Sequence, residues 1–282
     1  MLHHDDAVVP HQAIRRPLAV AGSILIILLC VLALFPSAIA PYDPIKIELS
    51  DRLQPPGSAN WFGTDSFGRD LFSRVIFGVR ISLLTSVTVV TGAAVVGTSL
   101  GVLSGYLGGW VDEVLMRVTD VFMAIPVILL AMVVVVVLKP GLINTMIALI
   151  VVWWPVYARL MRSQVITIKE RPYVEAAVAF GAGSWKVTVR HIVPNALAPI
   201  LVQCTMDMGY VVLTGAALGF MGLGAQPPMP EWGKMISSGR AYFLDAWWYP
   251  VFPGFAIAST VMIFNLLGDY LRDWMDPKSR VI

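Results

Sequence analysis

One helical face in the last third of the chain carries side chains that could bind a polar ligand. Gln203, Asp207, Tyr210 and Thr214 recur at intervals that place them on one side of an α-helix. The neighbouring residues are apolar, and an ionised aspartate facing hydrocarbon costs at least about 2.5–3.5 kcal/mol. We therefore expect this face either to line an aqueous cavity or to meet a polar partner helix. In a cavity, Asp207 would attract a cationic group such as an ammonium.

The sequence carries no pattern typical of catalysis or metal binding. The stretch GAGSWKVT at Gly181–Thr188 contains glycines, a lysine and a threonine, but it lacks the Gly-Lys pair and the preceding strand of a nucleotide-binding loop. Three of the 4 histidines lie in the N-terminal tail, where we expect a solvated segment, and only His191 remains in the body. We predict no catalytic residue and no metal site, and we interpret Cys30 and Cys204 as small apolar side chains.

The composition excludes most soluble proteins. Of the 282 residues, 57% are hydrophobic and only 13% are charged, and the mean hydropathy is +0.75. Soluble domains have about 45–50% apolar and about 25% charged residues. The net charge of +2 is too small to indicate nucleic acid binding. The chain is therefore predicted to be an all-α membrane protein in contact with lipid.

Apolar stretches long enough to cross a bilayer occur six times, since about 20 residues suffice. They are Leu18–Ala40, Ile81–Leu107, Val114–Leu138, Leu142–Met161, Ala196–Phe220 and Trp248–Leu271. The first could instead be a signal peptide ending at Ala38-Ile39-Ala40, but its apolar part is long and we expect a retained anchor. Lysine and arginine favour a cytoplasmic N-terminus and C-terminus.

These spans divide the chain into five parts. Residues 1–17 form a cytoplasmic tail, and residues 18–40 form the first transmembrane helix. Residues 41–80 form an extracytoplasmic segment, residues 81–271 a five-helix core that includes a loop at 169–194, and residues 272–282 a cytoplasmic tail. Within 41–80, Thr64 or Asp65 could cap an amphipathic interfacial helix. The alternative is that this helix is the solvated start of the second span.

Small and polar residues predict contacts between the spans. Gly97, Gly101 and Gly105 recur every four residues and would form a smooth groove for another helix, unless they reflect the general abundance of glycine in membrane helices. Asp120, at the start of the third span, is expected to pair locally with Arg117.

The loop at 169–194 contains a short predicted helix, Tyr173–Phe180, after Pro172. Ala176 and Ala177 give this helix a low-profile side that fits a groove, Glu175 adds a charge, and Gly181 permits the backbone reversal that ends it. Such a helix between two spans would act as a lever for a partner outside the membrane. The alternative is an amphipathic loop resting on the bilayer.

A resemblance to a known family favours the first interpretation, in which the short helix transmits the movement of a partner outside the membrane. Glu175-Ala176-Ala177, Gly181 and the later Ile192-Val193-Pro194-Asn195 resemble the Glu-Ala-Ala loop of importer-type ABC permeases. Three stretches resemble signatures of the peptide/nickel subfamily: Phe62–Leu83, Leu218–Ile236 and Phe264–Arg280. The resemblance departs from that subfamily at Gly215 and Gly219, where many relatives have Glu and Ser.

The resemblance implies an importer-type ABC permease fold with a cytoplasmic coupling helix, and it assigns ATPase coupling to Tyr173, Glu175, Ala176, Ala177, Gly181 and Pro194. It also implies a second permease subunit, two cytoplasmic ATPases that bind ATP and Mg, and an extracytoplasmic solute-binding protein. The chain itself is then not an enzyme and holds no cofactor.

The function that follows is import of dipeptides or short oligopeptides across the bacterial cytoplasmic membrane. Nickel chelates and glutathione are alternative cargoes within the same architecture. A self-sufficient secondary transporter is a further alternative, but it would need a charged relay or an inverted repeat, and the sequence shows neither clearly.

Overall fold

The computed structural model describes the backbone of residues 11–275 and the side chains of residues 24–275. The helices are α1 (His11–Leu34), α2 (Pro36–Ile39), α3 (Leu71–Leu107), α4 (Gly109–Ala124), α5 (Val127–Leu138), α6 (Leu142–Lys169), α7 (Pro172–Ala179), α8 (Ser184–Val187), α9 (Val193–Phe220), α10 (Trp232–Gly239) and α11 (Trp248–Met275). Short 3₁₀ turns at Leu49–Asp51 and Arg240–Tyr242 and a π turn at Thr188–Ile192 complete the regular elements. The all-α prediction is confirmed for this part of the chain. The predicted tails fall wholly or partly outside it.

Four described helices are long and apolar enough to cross a membrane: α3, α6, the α8–α9 stretch and α11. They contain the predicted second, fourth, fifth and sixth spans. In α1, the apolar part with described side chains, Ile24–Leu34, is shorter than a span. The first predicted span therefore stays a prediction.

The predicted third span is wrong as a single straight helix. It consists of α4 and α5, which meet at an angle of 94°. Pro126 causes the break, because a proline disfavours the helical conformation in the residue before it. Ile125 accordingly has an extended backbone, with φ −97° and ψ 132°, and ends α4.

The direction of the neighbouring helices shows that α4 and α5 together return across the bundle. Gly97 of α3 lies beside Tyr157 of α6, and Gly105 lies beside Val165, so the two helices run in the same direction. The chain must then travel back between the end of α3 and the start of α6. At about 1.5 Å per residue, α4 and α5 measure roughly 24 and 18 Å, which is enough for that return.

The expected interfacial helix does not exist as a separate element. Asp70, rather than Thr64 or Asp65, caps α3, accepting a hydrogen bond from the Ser73 amide at 2.7 Å, and the helix then continues without a break to Leu107. The domain boundary predicted at residue 80 thus lies inside one 37-residue helix. The first turns of α3 are not solvated either, because Leu71, Val75 and Val79 are buried in a core shared with α10 and α11.

Two apolar clusters hold the described bundle together. One joins α3, α6 and α9 and reaches Val174 of α7 and Val187 of α8. The other joins α1, the start of α3, α10 and α11. The bundle therefore has one packed end that carries α7 and α8, and an opposite end that carries residues 41–70 and α10.

Candidate coupling surface and translocation face

The short helix α7 begins and ends where its sequence predicts. Pro172 occupies its first position, where a missing amide proton costs nothing, and the preceding Arg171 is extended. After Phe180, Gly181 has φ +81°, a conformation that favours glycine. The Gly181 amide donates to the carbonyl of Val178 at 2.9 Å and the Ala182 amide to that of Ala177 at 3.1 Å. These two bonds are the Schellman pattern that ends a helix.

One side of α7 is anchored and the other is exposed. Val174 is buried in the core, and Ala177 packs against that core while remaining half-buried. Tyr173, Glu175 and Ala176 are exposed. The predicted low-profile side is thus divided, with Ala176 facing outward and Ala177 facing the bundle.

Large apolar side chains extend the exposed side. Phe180 is 93% exposed and Trp185 of α8 is 78% exposed. Val178 is also exposed, and Pro194 is exposed in the first turn of α9. We define the coupling surface as Tyr173, Glu175, Ala176, Val178, Phe180 and Trp185. An unpaired apolar surface of this kind, next to a directed charge, is typical of a protein contact.

The coupling surface is connected to two long helices. Only Glu170 and Arg171 separate α6 from α7, and the amide of Arg171 donates to the carbonyl of Ile168 at 3.1 Å. On the other side, α8 continues through the π turn into α9. A displacement of α7 would therefore act on both α6 and α9.

The predicted polar face of α9 divides into a buried and an exposed part. Asp207 is only 4% exposed, and Gln203 donates a hydrogen bond from Nε2 to its Oδ1 at 3.0 Å. Tyr157 and Trp153 of α6 lie beside this carboxylate. Tyr210 is exposed, and its carbonyl accepts a bond from the hydroxyl of Thr214 at 2.8 Å.

The environment of Asp207 is polar but incompletely paired. Neither the hydroxyl of Tyr157 nor Oδ2 of Asp207 has a hydrogen-bond partner of standard geometry among the described residues. Such groups are costly to bury and mark positions of functional interest. Asp207 lies between α9 and α6 and not on an open surface of the described chain.

The three predicted packing glycines lie directly against α6. A Cβ at Gly97 would come within 2.3 Å of the Trp154 carbonyl oxygen, and one at Gly101 within 2.5 Å of the Ala158 carbonyl oxygen. A Cβ at Gly105 would meet Val165 at 2.9 Å. The close approach of the two backbones therefore requires glycine at these positions.

Two ion pairs that the sequence did not predict join α4 to α6. Asp112 accepts hydrogen bonds from the guanidinium of Arg162 and from the Ser104 hydroxyl of α3. Asp120 pairs with Arg159 at 2.7 Å, so the expected local pair with Arg117 is wrong. The partner of Asp120 is 39 residues away along the chain and is brought close by the packing of α4 against α6.

At the opposite end, Glu231 is a buried carboxylate that the sequence analysis missed. It caps α10 by accepting hydrogen bonds from the amides of Gly233 and Lys234, both at 2.8 Å. Burial nevertheless raises the pKa of Glu231 to about 7, because the loss of hydration outweighs these two bonds. Gly219 leaves room for this side chain, since a Cβ there would meet Oε2 at 2.0 Å.

Two family models match separate parts of the chain, and one of them covers more than half of it. The model described as binding-protein-dependent transport system inner membrane component matches residues 97–281, and the model for the N-terminal TM domain of oligopeptide transport permease C matches residues 11–56.

Several proteins with similar sequences are named as permease proteins of transport systems. The probable D,D-dipeptide transport system permease protein DdpC of Escherichia coli (strain K12) is 46% identical over 93% of this chain and 88% of its own length. The dipeptide transport system permease protein DppC of Alkalihalophilus pseudofirmus is 45% identical over 95% and 88%. The glutathione transport system permease protein GsiD of Pectobacterium atrosepticum is 43% identical over 94% and 88%.

A solved structure shares the fold. The MetNI methionine ABC transporter, in an inward facing conformation, superposes with a TM-score of 0.59 over 72% of this chain and 96% of its own chain. The sequence identity is 20%, so this likeness concerns the fold alone.

Proposed function

Because the chain belongs to the family of binding-protein-dependent transport system inner membrane components, we propose that it is a permease subunit of an ATP-driven importer for dipeptides or short oligopeptides. Its similarity to DdpC and DppC, at 46% and 45% identity over more than nine-tenths of the chain, supports peptides as the cargo. The main structural support for the mechanism is helix α7 at one end of the bundle, which is anchored to the core on one side and exposed on the other.

The coupling surface is the contact for a cytoplasmic ATPase subunit. Ala176 is small enough to enter a groove, Glu175 supplies one charge, and Phe180 and Trp185 supply apolar area that an ATPase would cover. The ATPases, and not this chain, bind ATP and Mg. Their closure moves α7, and α6 and α9 move with it because both are directly connected to α7.

The translocation path follows α9 and is completed by a second permease subunit. The exposed Tyr210 and the half-buried Thr214 face the path directly. Asp207, behind them, contributes its charge to the path when α6 and α9 move apart. The binding protein delivers peptide to the end of the bundle that carries residues 41–70 and α10. In this orientation α7 and both termini are cytoplasmic.

Uptake into reconstituted vesicles tests this function. The chain is combined with its second permease, the ATPases and the binding protein, and entry of labelled dialanine is followed with and without ATP. We expect ATP-dependent uptake that excess unlabelled dipeptide abolishes and excess glutathione does not. Glutathione is the second candidate cargo, because GsiD is 43% identical, and strong competition by glutathione alone would favour it. Uptake that proceeds without ATP would instead indicate a secondary transporter.

A further inference from the structure

A cleft of about 360 Å³ opens at the end of the bundle opposite α7. This position follows from α3, whose end packs near the α7 end of the bundle and whose first turns line the cleft. Three cationic side chains line it: Arg69, Arg74 and Lys234. The rest of the lining is mostly apolar and includes Phe67 and Met229, but Ser238 and Tyr249 also contribute to it.

Two of the cations are buried in the cleft wall. Arg74 is only 4% exposed, and its Nη1 donates to the carbonyl of Pro44 at 2.7 Å. Arg69 is also buried and bonds from Nε to Oδ2 of Asp65 at 2.7 Å. The same carboxylate oxygen lies 3.6 Å from Nε of Arg74, which has no hydrogen-bond partner among the described residues. The guanidinium groups of Arg69 and Arg74 therefore share the single carboxylate of Asp65.

Lys234 is the cation that a ligand can reach. It is half-buried on α10, and its ammonium group makes no hydrogen bond or ion pair within the described part of the chain. The carboxylate of Glu231 acts on it from the preceding turn of the chain. With three cations against Asp65 and Glu231, the cleft retains excess positive charge beside low-dielectric walls, where charge acts more strongly than in water.

We propose that this cleft binds the free C-terminal carboxylate of a short peptide. Lys234 contacts that carboxylate, and Arg69 and Arg74 keep the cleft wall positively charged. The inference rests on the proposed function, because it places the site where peptide arrives. The volume suits a small molecule, since ligand pockets measure roughly 300–1,000 Å³. A flat protein surface could not approach the buried arginines, whereas a chain end can enter the cleft. The apolar walls would hold peptide side chains of low polarity.

Binding of a peptide and its amide to the purified assembly tests the site. Saturation-transfer NMR measures dialanine and its C-terminal amide on both permeases with their ATPases, without binding protein. We expect dialanine to bind at least about tenfold more tightly than the amide, because a charge-assisted hydrogen bond is lost in the amide. Lys234→Gln should remove this preference. Lys139→Gln, which changes an exposed lysine outside the cleft at the same end, should leave it intact.

Three results would overturn the proposal. The first is equal binding of dialanine and its amide to the unmodified assembly, and the second is an equal loss of preference in Lys139→Gln. The third is a Lys234→Gln variant that keeps the preference but docks the binding protein more weakly, which would make the cleft a protein contact. ATP-driven uptake by the unmodified importer is measured alongside. If uptake persists in any of these cases, only the site fails; if uptake is absent, the proposed function fails.

Discussion

Gly233 of α10 lies directly on the backbone of Ala216 in α9. A Cβ at position 233 would come within 1.9 Å of the Ala216 carbonyl oxygen, a distance that no side chain can adopt. This contact holds α10 against α9 at the end of the bundle opposite α7, and it thereby positions both Glu231 and Lys234. The placement of the proposed peptide cleft thus depends on the absence of one methyl group.

Gly233→Ala is therefore expected to destabilise the protein. The two backbones must separate, and packing between α10 and α9 is lost, which costs about 1–3 kcal/mol for such overpacking. The thermal midpoint of the detergent-purified subunit should fall by several degrees. Gly215→Ala is the matched control in α9, since its Cβ would meet only Thr85 at 4.0 Å. An unchanged midpoint in Gly233→Ala would contradict this packing.

The buried carboxylate of Glu231 predicts a pH dependence of stability. Its pKa in the folded chain is about 7, above its ordinary value of 4.5, so the folded state binds more protons than the unfolded state between these values. Stability is then greatest at low pH within this window and falls as the pH rises through 7, by up to about 3 kcal/mol. Thermal midpoints measured from pH 5 to 8 should show this decline. Glu231→Gln, which is neutral throughout, should flatten it, and a decline of the same size in that variant would assign it to another group.

Gly181→Ala should uncouple ATP hydrolysis from transport. Its φ of +81° is unfavourable for alanine by roughly 1–2 kcal/mol, so the Schellman end of α7 is weakened and the coupling surface loses its fixed orientation. Uptake per ATP hydrolysed should fall several-fold, and the thermal midpoint of the subunit should fall only by the few degrees that this local strain explains. Gly183→Ala provides the comparison, since Gly183 has φ −63° and open space around it. Equal uptake in the two variants would argue against a rigid coupling helix.

Asp207 is expected to matter for cargo and not only for folding. Asp207→Asn keeps the shape and the hydrogen bond from Gln203, yet it removes the charge, so the protein should fold and its uptake should decrease several-fold. Asp207→Ala should also lower the thermal midpoint, because the amide of Gln203 loses its partner. Should both variants transport at the normal rate, the role of Asp207 in the path would be abandoned.

Local sequence was sufficient for features that depend on neighbouring residues. Pro172, Gly181 and the alanines between them define α7 and its end without reference to the rest of the fold. The spacing of Gly97, Gly101 and Gly105 likewise marks one face of α3. For these elements, the residues that determine the geometry lie within a few turns of one another.

Contacts between segments that are distant along the chain could not be predicted from the sequence. Asp120 has Arg117 as its nearest cation along the chain, but the packing of α4 against α6 brings it to Arg159 instead. Similarly, the cleft combines Arg69 and Arg74 with Lys234, which is 160 residues away from Arg74 along the chain. The partner of a charge in such a bundle is set by which helices pack together, and this is not encoded in the periodicity of one span.

Cross-linking of Ala176 tests the central claim, that force from a cytoplasmic ATPase enters through α7. Cysteine is placed at Ala176 in a chain whose own Cys30 and Cys204 are replaced by serine, and a co-expressed ATPase carries a cysteine in the groove that faces the membrane. We predict a disulfide-linked pair whose yield changes when ATP is added. A cysteine at the exposed Ser58, at the other end of the bundle, should give none. The account is contradicted if Ala176→Cys never links to the ATPase, or if this position reacts only with reagents supplied from outside the cell.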